Sequence, residues 1–213
     1  MPIEMPKGLP FSVDTFSPSS KRKRHHFLTH AHKDHTSGIS SHFSYPIYST
    51  HLTKSLVLLH YPQLDDSLFV GIEVGESIVI NDPDEEFQVT AFDSNHCPGA
   101  VMFLFEGSFG NILHTGDCRL MPECLQNLPE KYIGRKGKEP QCCFDYVFLD
   151  CTFGRFSRNL PSKHSSIRQR TTEICLPYAD NIFFSHYHFK WRRGWGGILC
   201  IFFLLIVMFY NLN

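Results

Sequence analysis

Hydrophobic and polar positions along the chain predict short strands with few helices. Strands are predicted at residues 11–16, 46–49, 77–80, 87–92, 100–105, 111–114 and 145–150, each bounded by turn-forming residues. Leucines at positions 52, 56 and 59 have the spacing of an amphipathic helix over residues 51–59. Because strands and helices alternate early in the chain and strands dominate its middle, the pattern predicts an α/β fold.

The sequence also predicts the structure of the segments between these elements. Residues 36–41 predict a short helix, and the charged residues 128–141 predict an exposed loop. Residues 2–10 are rich in proline and are expected to lie over the surface. Asp14 falls on the polar phase of the strand predicted at 11–16, so it is expected on the polar side of that strand.

The composition is that of an ordinary globular protein. A chain of 213 residues, 42% of them hydrophobic, has room for one large domain or a domain and a half. A net charge of -1 argues against a protein that coats nucleic acid through bulk charge, but leaves room for a local basic face. The eight cysteines form no Cys-x-x-Cys pair, and residues 1–10 lack the apolar stretch of a secretory signal. These features predict reduced thiols in an intracellular protein.

Residues 21–24, Lys-Arg-Lys-Arg, are four consecutive cations. Such a run is typical of a nuclear import signal, of a patch that contacts phosphates, or of a solvated turn. The sequence leaves these three interpretations open.

Residues 29–35, Thr-His-Ala-His-Lys-Asp-His, hold three imidazoles and a carboxylate behind a short apolar run. On an extended chain His30 and His32 point to the same side and can bind one metal ion. Asp34 and His35 can then face a second ion. These ligands suit zinc, with manganese or iron as substitutes, and two ions about 3.5 to 4 Å apart could clamp a phosphoryl group and supply a hydroxide. The alternative is a histidine-rich surface loop.

His96, Asp117 and Asp150 each follow a predicted strand and stand at or just before a tight turn. Taken singly, each is equally well explained as a turn or capping residue. Together they have the placement expected of ligands that a sheet delivers to one edge. A pair of metal ions needs a bridging carboxylate, and Asp117 is the natural candidate.

Five stretches carry a family resemblance: Val-Asp-Thr-Phe at 13–16, residues 29–35, Asn-His-Cys-Pro-Gly-Ala at 95–100, His-Thr-Gly-Asp-Cys-Arg at 114–119 and Phe-Leu-Asp-Cys-Thr-Phe at 148–153. Together they resemble the DNA cross-link repair nucleases typified by Artemis and Apollo, of the metallo-β-lactamase superfamily. The His-x-His-x-Asp-His element alone would equally suit a thioester hydrolase or an RNA-processing nuclease. The element at 95–100 is typical of a much narrower set of proteins, and it favours the DNA nucleases.

The resemblance implies a metallo-β-lactamase αβ/βα four-layer sandwich, with only its N-terminal part present. It also implies a two-zinc centre in which His30, His32 and His96 hold the first ion, Asp34 and His35 hold the second, and Asp117 bridges them. Asp14 would orient a ligand histidine through its ring N–H. The catalytic carboxylates would be Asp34, Asp117 and Asp14, and Asp150 would match the first motif of an accessory domain.

The activity implied is hydrolysis of DNA phosphodiesters in the 5'-to-3' direction by a metal-activated water, whose pKa falls to about 7 on zinc. The partner implied is DNA, single-stranded or with a free 5' end. The biological setting implied is repair of interstrand cross-links and double-strand breaks in the nucleus.

The last part of the chain departs from the family pattern. We expect residues 1–155 to be the N-terminal part of the metallo-β-lactamase domain, residues 156–169 the start of the accessory insertion, and residues 170–213 an unrelated tail with an apolar segment at 198–210. His186 and His188 look like a returning ligand pair but lack a fitting context. In the family pattern, a histidine farther along the chain completes the second metal site. Because we find no match to it in this sequence, we expect a truncated and inactive nuclease.

Two other functions stay open at this point. One is a non-catalytic fragment that acts through protein contacts or through a membrane tether, since residues 198–210 form a marginal tail anchor preceded by cations. The other is a different hydrolase of the same fold, acting on RNA or a thioester. A non-native tail is the alternative explanation of residues 170–213.

Overall fold

The protein is represented by a computed structural model that describes residues 3–40, 43–119, 124, 126–133, 140–150, 179–184 and 189–192. The strands are β1 (Phe11–Val13), β2 (His25–Phe27), β3 (Ile47–Ser49), β4 (Phe69–Gly71), β5 (Ser77–Asn81), β6 (Glu86–Asp93), β7 (Val101–Gly107), β8 (Gly110–His114), β9 (Phe144–Leu149), β10 (Ala179–Phe184) and β11 (Phe189–Arg192). The described helices are α1 (Lys33–Thr36), α2 (His51–His60) and α3 (Glu130–Ile133), with 3₁₀ turns at Ser20–Arg22 and Asp66–Leu68. Two sheets and few helices confirm the predicted α/β class, and the complete four-layer sandwich stays a prediction.

The strands form two sheets. The first is parallel, in the order β1-β2-β3-β4. The second has the order β11-β10-β9-β8-β7-β6-β5; it is antiparallel from β5 to β8, parallel from β8 to β10, and antiparallel again between β10 and β11. Strands β10 and β11 therefore extend the second sheet beyond β9, with residues 179–184 and 189–192.

The main hydrophobic core lies between the two sheets. Phe11 of the first sheet stacks on Phe105 of the second, with ring centroids 4.3 Å apart. Phe27 meets Phe103 edge to face at 5.3 Å. Offset and edge-to-face rings at these distances stabilise a core beyond the area that they bury. The two sheets are thus fixed face to face by aromatic side chains that strands β1, β2 and β7 direct inward.

Strand β7 is buried on both faces. Phe103 and Phe105 face the core between the sheets, whereas Met102 and Leu104 belong to a second cluster with Tyr132 of α3. This alternation follows from the two-residue period of a strand. It explains why β7 is a nearly continuous run of hydrophobic residues.

Helix α2 has nearly its predicted bounds but buries a different face. Leu52 and Leu59 are 46% and 75% exposed, whereas Thr53 and Val57 are fully buried. Leu52 and Leu59, whose spacing predicted the helix, therefore do not lie on its buried face. Thr53 is buried because its hydroxyl donates to the carbonyl of Gly99.

Other local predictions also need correction. The helix expected at 36–41 is wrong in its bounds, because α1 covers Lys33–Thr36 and residues 37–40 are not helical. The loop expected at 128–141 contains α3, whose buried Tyr132 donates a hydrogen bond to Glu106 at 2.6 Å. The strand expected at 11–16 ends at Val13, because Asp14 turns into the left-handed region with φ of 51°. Asp14 is buried, so it does not lie on an exposed polar face.

No helix within the described ranges is long and apolar enough to cross a membrane. The apolar segment 198–210, the pair His186 and His188, and the predicted insertion 156–169 lie outside the residues that the structure describes.

A buried carboxylate ties the start of β2 to the turn after β5. Arg24 donates from Nε and Nη2 to the two oxygens of Asp82 at 2.6 and 2.7 Å, and it also bonds Asp84. His25 lies 3.0 Å from the same carboxylate. The Arg24 hydrogen bonds lower the pKa of Asp82 to about 2. Two of the four cations at 21–24 are therefore engaged by the fold, since Lys23 also donates to the carbonyl of Leu9.

This ion pair predicts a defined pH dependence of stability. Because the folded pKa of Asp82 lies below its ordinary value of 3.8, its stabilisation is complete above about pH 4 and is lost as the pH falls through 2. We expect Asp82→Asn to lower the free energy of unfolding at pH 7 by about 1 kcal/mol, because solvent screens the partly exposed Arg24. Urea unfolding of both proteins at several pH values measures this. A difference as large at pH 2 as at pH 7 would contradict the assignment.

Candidate metal centre

Every residue predicted for the site lies at the carboxyl end of a strand. Asp14 follows β1 and residues 29–35 follow β2, which are parallel neighbours. His96, Asp117 and Asp150 follow β6, β8 and β9, which run in one direction in the second sheet. Strands that run the same way end at the same edge, so these side chains are delivered to one place.

The first cluster consists of three histidines and one aspartate. His32 Nδ1 lies 2.9 Å from His30 Nε2 and 3.2 Å from His96 Nε2. Asp117 Oδ2 lies 3.8 Å from His30 Nε2 and 3.7 Å from His96 Nε2. All four atoms fall within 4.8 Å of one another. Three imidazole nitrogens and a carboxylate oxygen match the ligands that zinc accepts in a four-coordinate site.

A second group lies on the other side of Asp117. His35 Nε2 is 3.3 Å from Asp117 Oδ1 and 3.4 Å from Asp34 Oδ2. This nitrogen is buried and has no hydrogen-bond partner of good geometry in the described part of the chain. Buried polar atoms are normally satisfied, so an unsatisfied nitrogen between two carboxylates fits a metal ligand. Asp117 thus faces both groups, one oxygen to each.

Asp14 lies beneath the site and connects its two halves. It accepts hydrogen bonds from the backbone N–H of Thr29 at 2.8 Å, from the Thr29 hydroxyl at 2.6 Å and from His35 Nδ1 at 2.9 Å. Its positive φ of 51° aims the side chain at these donors. A left-handed non-glycine residue is strained, and here three hydrogen bonds offset that strain.

These bonds also fix the tautomers of the ligand histidines. The single hydroxyl proton of Thr29 goes to Asp14, so the same oxygen accepts from His30 Nδ1–H at 3.0 Å. His35 likewise has its Nδ1 proton on Asp14. In both rings Nε2 is left to face the cluster, as a metal-binding imidazole requires.

His35 is set apart by its charge. Burial opposes its protonation, but the Asp14 charge, with further help from Asp117, raises the pKa of His35 to about 10. Burial would raise the pKa of Asp117, but the close approach and the charge of His35 hold that pKa well below its usual range. A cation therefore neutralises the two carboxylates, and a metal ion would take over this role from the His35 proton.

His30, His96 and His114 are neutral at pH 7. Burial lowers the pKa of His30 to about 4, and it also lowers the pKa of His96. Burial lowers the pKa of His114 to about 4 as well. The neutral imidazole is the form that binds metal, so His30 and His96 need lose no proton to act as ligands.

Two groups of named proteins are similar to this chain over most of its length. The 5' exonuclease Apollo of Gallus gallus is 41% identical over 76% of this chain and 33% of its own length. Protein artemis of Gallus gallus is 33% identical over 84% of this chain and 26% of its own length. The chain belongs to the Apollo and Artemis family. It spans about a third of the length of Gallus gallus Apollo.

Apollo of Mus musculus is similar as well, at 38% identity over 75% of this chain and 29% of its own length. No family model matches the sequence. Among solved structures, a protein of unknown function from Enterococcus faecalis V583 covers 65% of this chain and 33% of its own, at a TM-score of 0.44 and 20% identity, which is too weak to support an argument.

The geometry of this member of the Apollo and Artemis family brings the predicted ligands together. His30, His32, His96 and Asp117 form one group, and His35 lies between Asp34 and the other oxygen of Asp117. Asp14 contacts His35 through the ring N–H, as expected of an orienting residue. The Asp150 carboxylate accepts from the backbone N–H of Cys118, the residue after Asp117, at 3.1 Å.

Thr29 and His114 are site residues that sequence reasoning missed. Thr29 bonds both Asp14 and His30. His114 stacks on Phe148 with centroids 5.2 Å apart and accepts from the backbone N–H of Gly116 at 3.1 Å. Both residues open the quoted motifs 29–35 and 114–119, but neither has a spacing that distinguishes it from a capping or core residue.

Proposed function

We propose that this chain is a zinc-dependent DNA nuclease that hydrolyses phosphodiesters from a 5' end. The observation that supports this proposal is the position of Asp117, which joins His30, His32 and His96 in one group and places its other oxygen 3.3 Å from His35. The name of the relative, 5' exonuclease, supports the reaction and its polarity. A role in DNA repair follows from the same relatives.

In this proposal His30, His32 and His96 hold the first ion, Asp34 and His35 hold the second, and Asp117 bridges them. When bound, the two ions would supply a hydroxide nucleophile and neutralise charge on the phosphoryl group. Asp14 fixes the orientation of His35 and, through Thr29, that of His30. Residues 1–155 would form the N-terminal part of a four-layer metallo-β-lactamase sandwich.

One side of the centre is open to a substrate. The side chain of His30 is fully buried, whereas those of Asp117 and His96 are 20% and 22% exposed and that of Asp34 is 60% exposed. A phosphodiester would therefore approach from the side of Asp34. Single-stranded DNA with a free 5' end is the substrate that we propose, because it can enter such a site without a second strand.

We infer that the protein acts in the nucleus, where its DNA substrate lies. The family supports this location more than residues 21–24 do, because Lys23 and Arg24 are bonded to the fold. Fluorescence microscopy of the tagged chain is the test, and a signal excluded from the nucleus would contradict the inference.

The decisive experiment compares the purified full chain with His32→Ala. We expect wild type to hold zinc and to shorten a 5'-phosphorylated single-stranded DNA, and His32→Ala to lose both, because His32 Nδ1 lies between His30 and His96. His60→Ala, which removes an exposed histidine at the end of α2, is the matched control.

Each result decides a different point. Equal zinc content in wild type and His32→Ala would overturn the metal site. Zinc binding without cleavage of any DNA would agree with the sequence-based expectation of an inactive chain, and would overturn the nuclease activity of these residues alone. Cleavage of RNA or a thioester in place of DNA would favour another hydrolase of the same fold, which the relatives do not favour.

A further inference from the structure

The loop that carries His96 is bound to the first turn of α2 by two threonine hydroxyls. Thr50 Oγ1 and Thr53 Oγ1 donate to the carbonyl of Gly99 at 2.8 and 2.9 Å. Both threonines are buried, at 2% and 0% exposure. The Thr50 oxygen also accepts from the Thr53 backbone N–H, which caps the helix. One carbonyl of the loop therefore receives two buried donors from a rigid element.

The loop lies directly against the helix at this point. Gly99 has φ of +82°, and a Cβ there would come within 3.1 Å of Leu52 Cβ and of Thr53 N and Oγ1. The loop is closed on itself, because Ala100 N donates to Cys97 O at 3.0 Å. A displacement of Gly99 would thus be passed along a short closed turn to His96.

His96 differs from His30 and His35 in how its ring is held. His30 Nδ1 is bonded to Thr29, and His35 Nδ1 is bonded to Asp14. Among the described residues, the contacts of the His96 ring are all on the side of the cluster, through Nε2 to His32 and Asp117. Because no described residue forms a hydrogen bond with Nδ1, we argue the position of the ring from the backbone of its loop.

We propose that Thr50 and Thr53 are positioning residues that place His96 in the first metal site. The proposal rests on the proposed metal-binding function, and it assigns a role to two buried hydroxyls outside the ligand set. Groups that orient a ligand typically change metal affinity about 10- to 100-fold. We therefore expect Thr53→Val, which keeps the shape of the side chain and removes the hydroxyl, to weaken zinc binding at the first site about 10-fold.

The test is a zinc titration of the full chain against a chromophoric chelator. Wild type, Thr53→Val and Thr53→Ser are compared, and Thr53→Ser should retain the affinity because it keeps the hydroxyl. Ser55→Ala is the matched control, since its hydroxyl donates to His51 O on the exposed side of α2. Thr53→Ala, which also lacks the hydroxyl and favours a helix, repeats the test if the valine variant does not fold.

A double-mutant cycle separates positioning from a general effect on folding. In the His96→Ala background Thr53→Val should have no further effect on zinc affinity, because there is no ring left to position. An unchanged affinity of Thr53→Val, or the same loss in both backgrounds, would overturn the proposal. If wild type binds no zinc, the proposed function fails instead, so the two failures are distinguishable.

Discussion

Asp117→Asn is expected to abolish the proposed nuclease activity, whereas Asp14→Asn should lower it about 10- to 100-fold, the range typical of residues that orient a metal ligand. The reason is the position of the two Asp117 oxygens. Oδ2 faces His30 and His96 of the first group, and Oδ1 faces His35 of the second. An amide at residue 117 would give one weaker, neutral oxygen in place of two charged ones. Both ions would then lose a ligand at once.

The measurement is turnover of 5'-phosphorylated single-stranded DNA, together with zinc content, for wild type and both variants. Asp66→Asn removes an exposed carboxylate that pairs with Lys54 at 2.8 Å, and it serves as the control for loss of one charge. The bridging assignment is wrong if Asp117→Asn keeps most of the wild-type turnover, or if Asp14→Asn is the more damaging change.

The ligands close together in sequence could be predicted because local geometry determines their arrangement. His30 and His32 lie two apart on extended chain after β2, and their ring nitrogens meet at 2.9 Å. Asp34 and His35 follow in α1, where the turn of the chain brings them to the other side of Asp117. Residue spacing alone carries this information.

For the site residues that are distant in sequence, residue spacing was not enough to predict that they meet. That His96 and Asp117 meet His32 and His30 depends on how two sheets pack, which no short-range spacing encodes. Only their position after strands indicated a common edge, and the family resemblance supplied the rest. The hydroxyl of Thr29 was missed for the same reason, because its partner Asp14 is distant in sequence and left-handed.

Helix α2 was predicted at nearly the right place in the sequence, but the leucine spacing that revealed it does not mark its buried face. Its leucines satisfy the helical period, but a period does not say on which side the rest of the protein lies. The structure instead buries Thr53, whose polar hydroxyl is satisfied by Gly99 O. Hydrophobic patterning cannot detect a buried hydroxyl with a long-range partner, and here that hydroxyl bonds the loop of His96, a proposed metal ligand.

A small substitution at Gly116 should damage both the fold and the metal centre. Gly116 has φ of +55°, and a Cβ there would lie 2.7 Å from Thr29 Oγ1 and 2.8 Å from Thr29 Cβ. Alanine would therefore displace the hydroxyl that bonds Asp14 and His30. The left-handed backbone costs about 1 to 2 kcal/mol for a residue with a Cβ, and overpacking typically costs about 1 to 3 more.

We expect Gly116→Ala to lower the free energy of unfolding by about 2 to 5 kcal/mol and to lower zinc content with it. Gly75→Ala is the matched control, because Gly75 has φ of +84° and nothing within 4 Å of the added Cβ. The Gly75→Ala protein has only the cost of the left-handed backbone, so its free energy of unfolding should fall less, and the protein should keep its zinc. Urea unfolding and metal analysis of the three proteins measure this. Equal effects of the two alanines would mean that backbone strain, and not contact with Thr29, explains the glycine at residue 116.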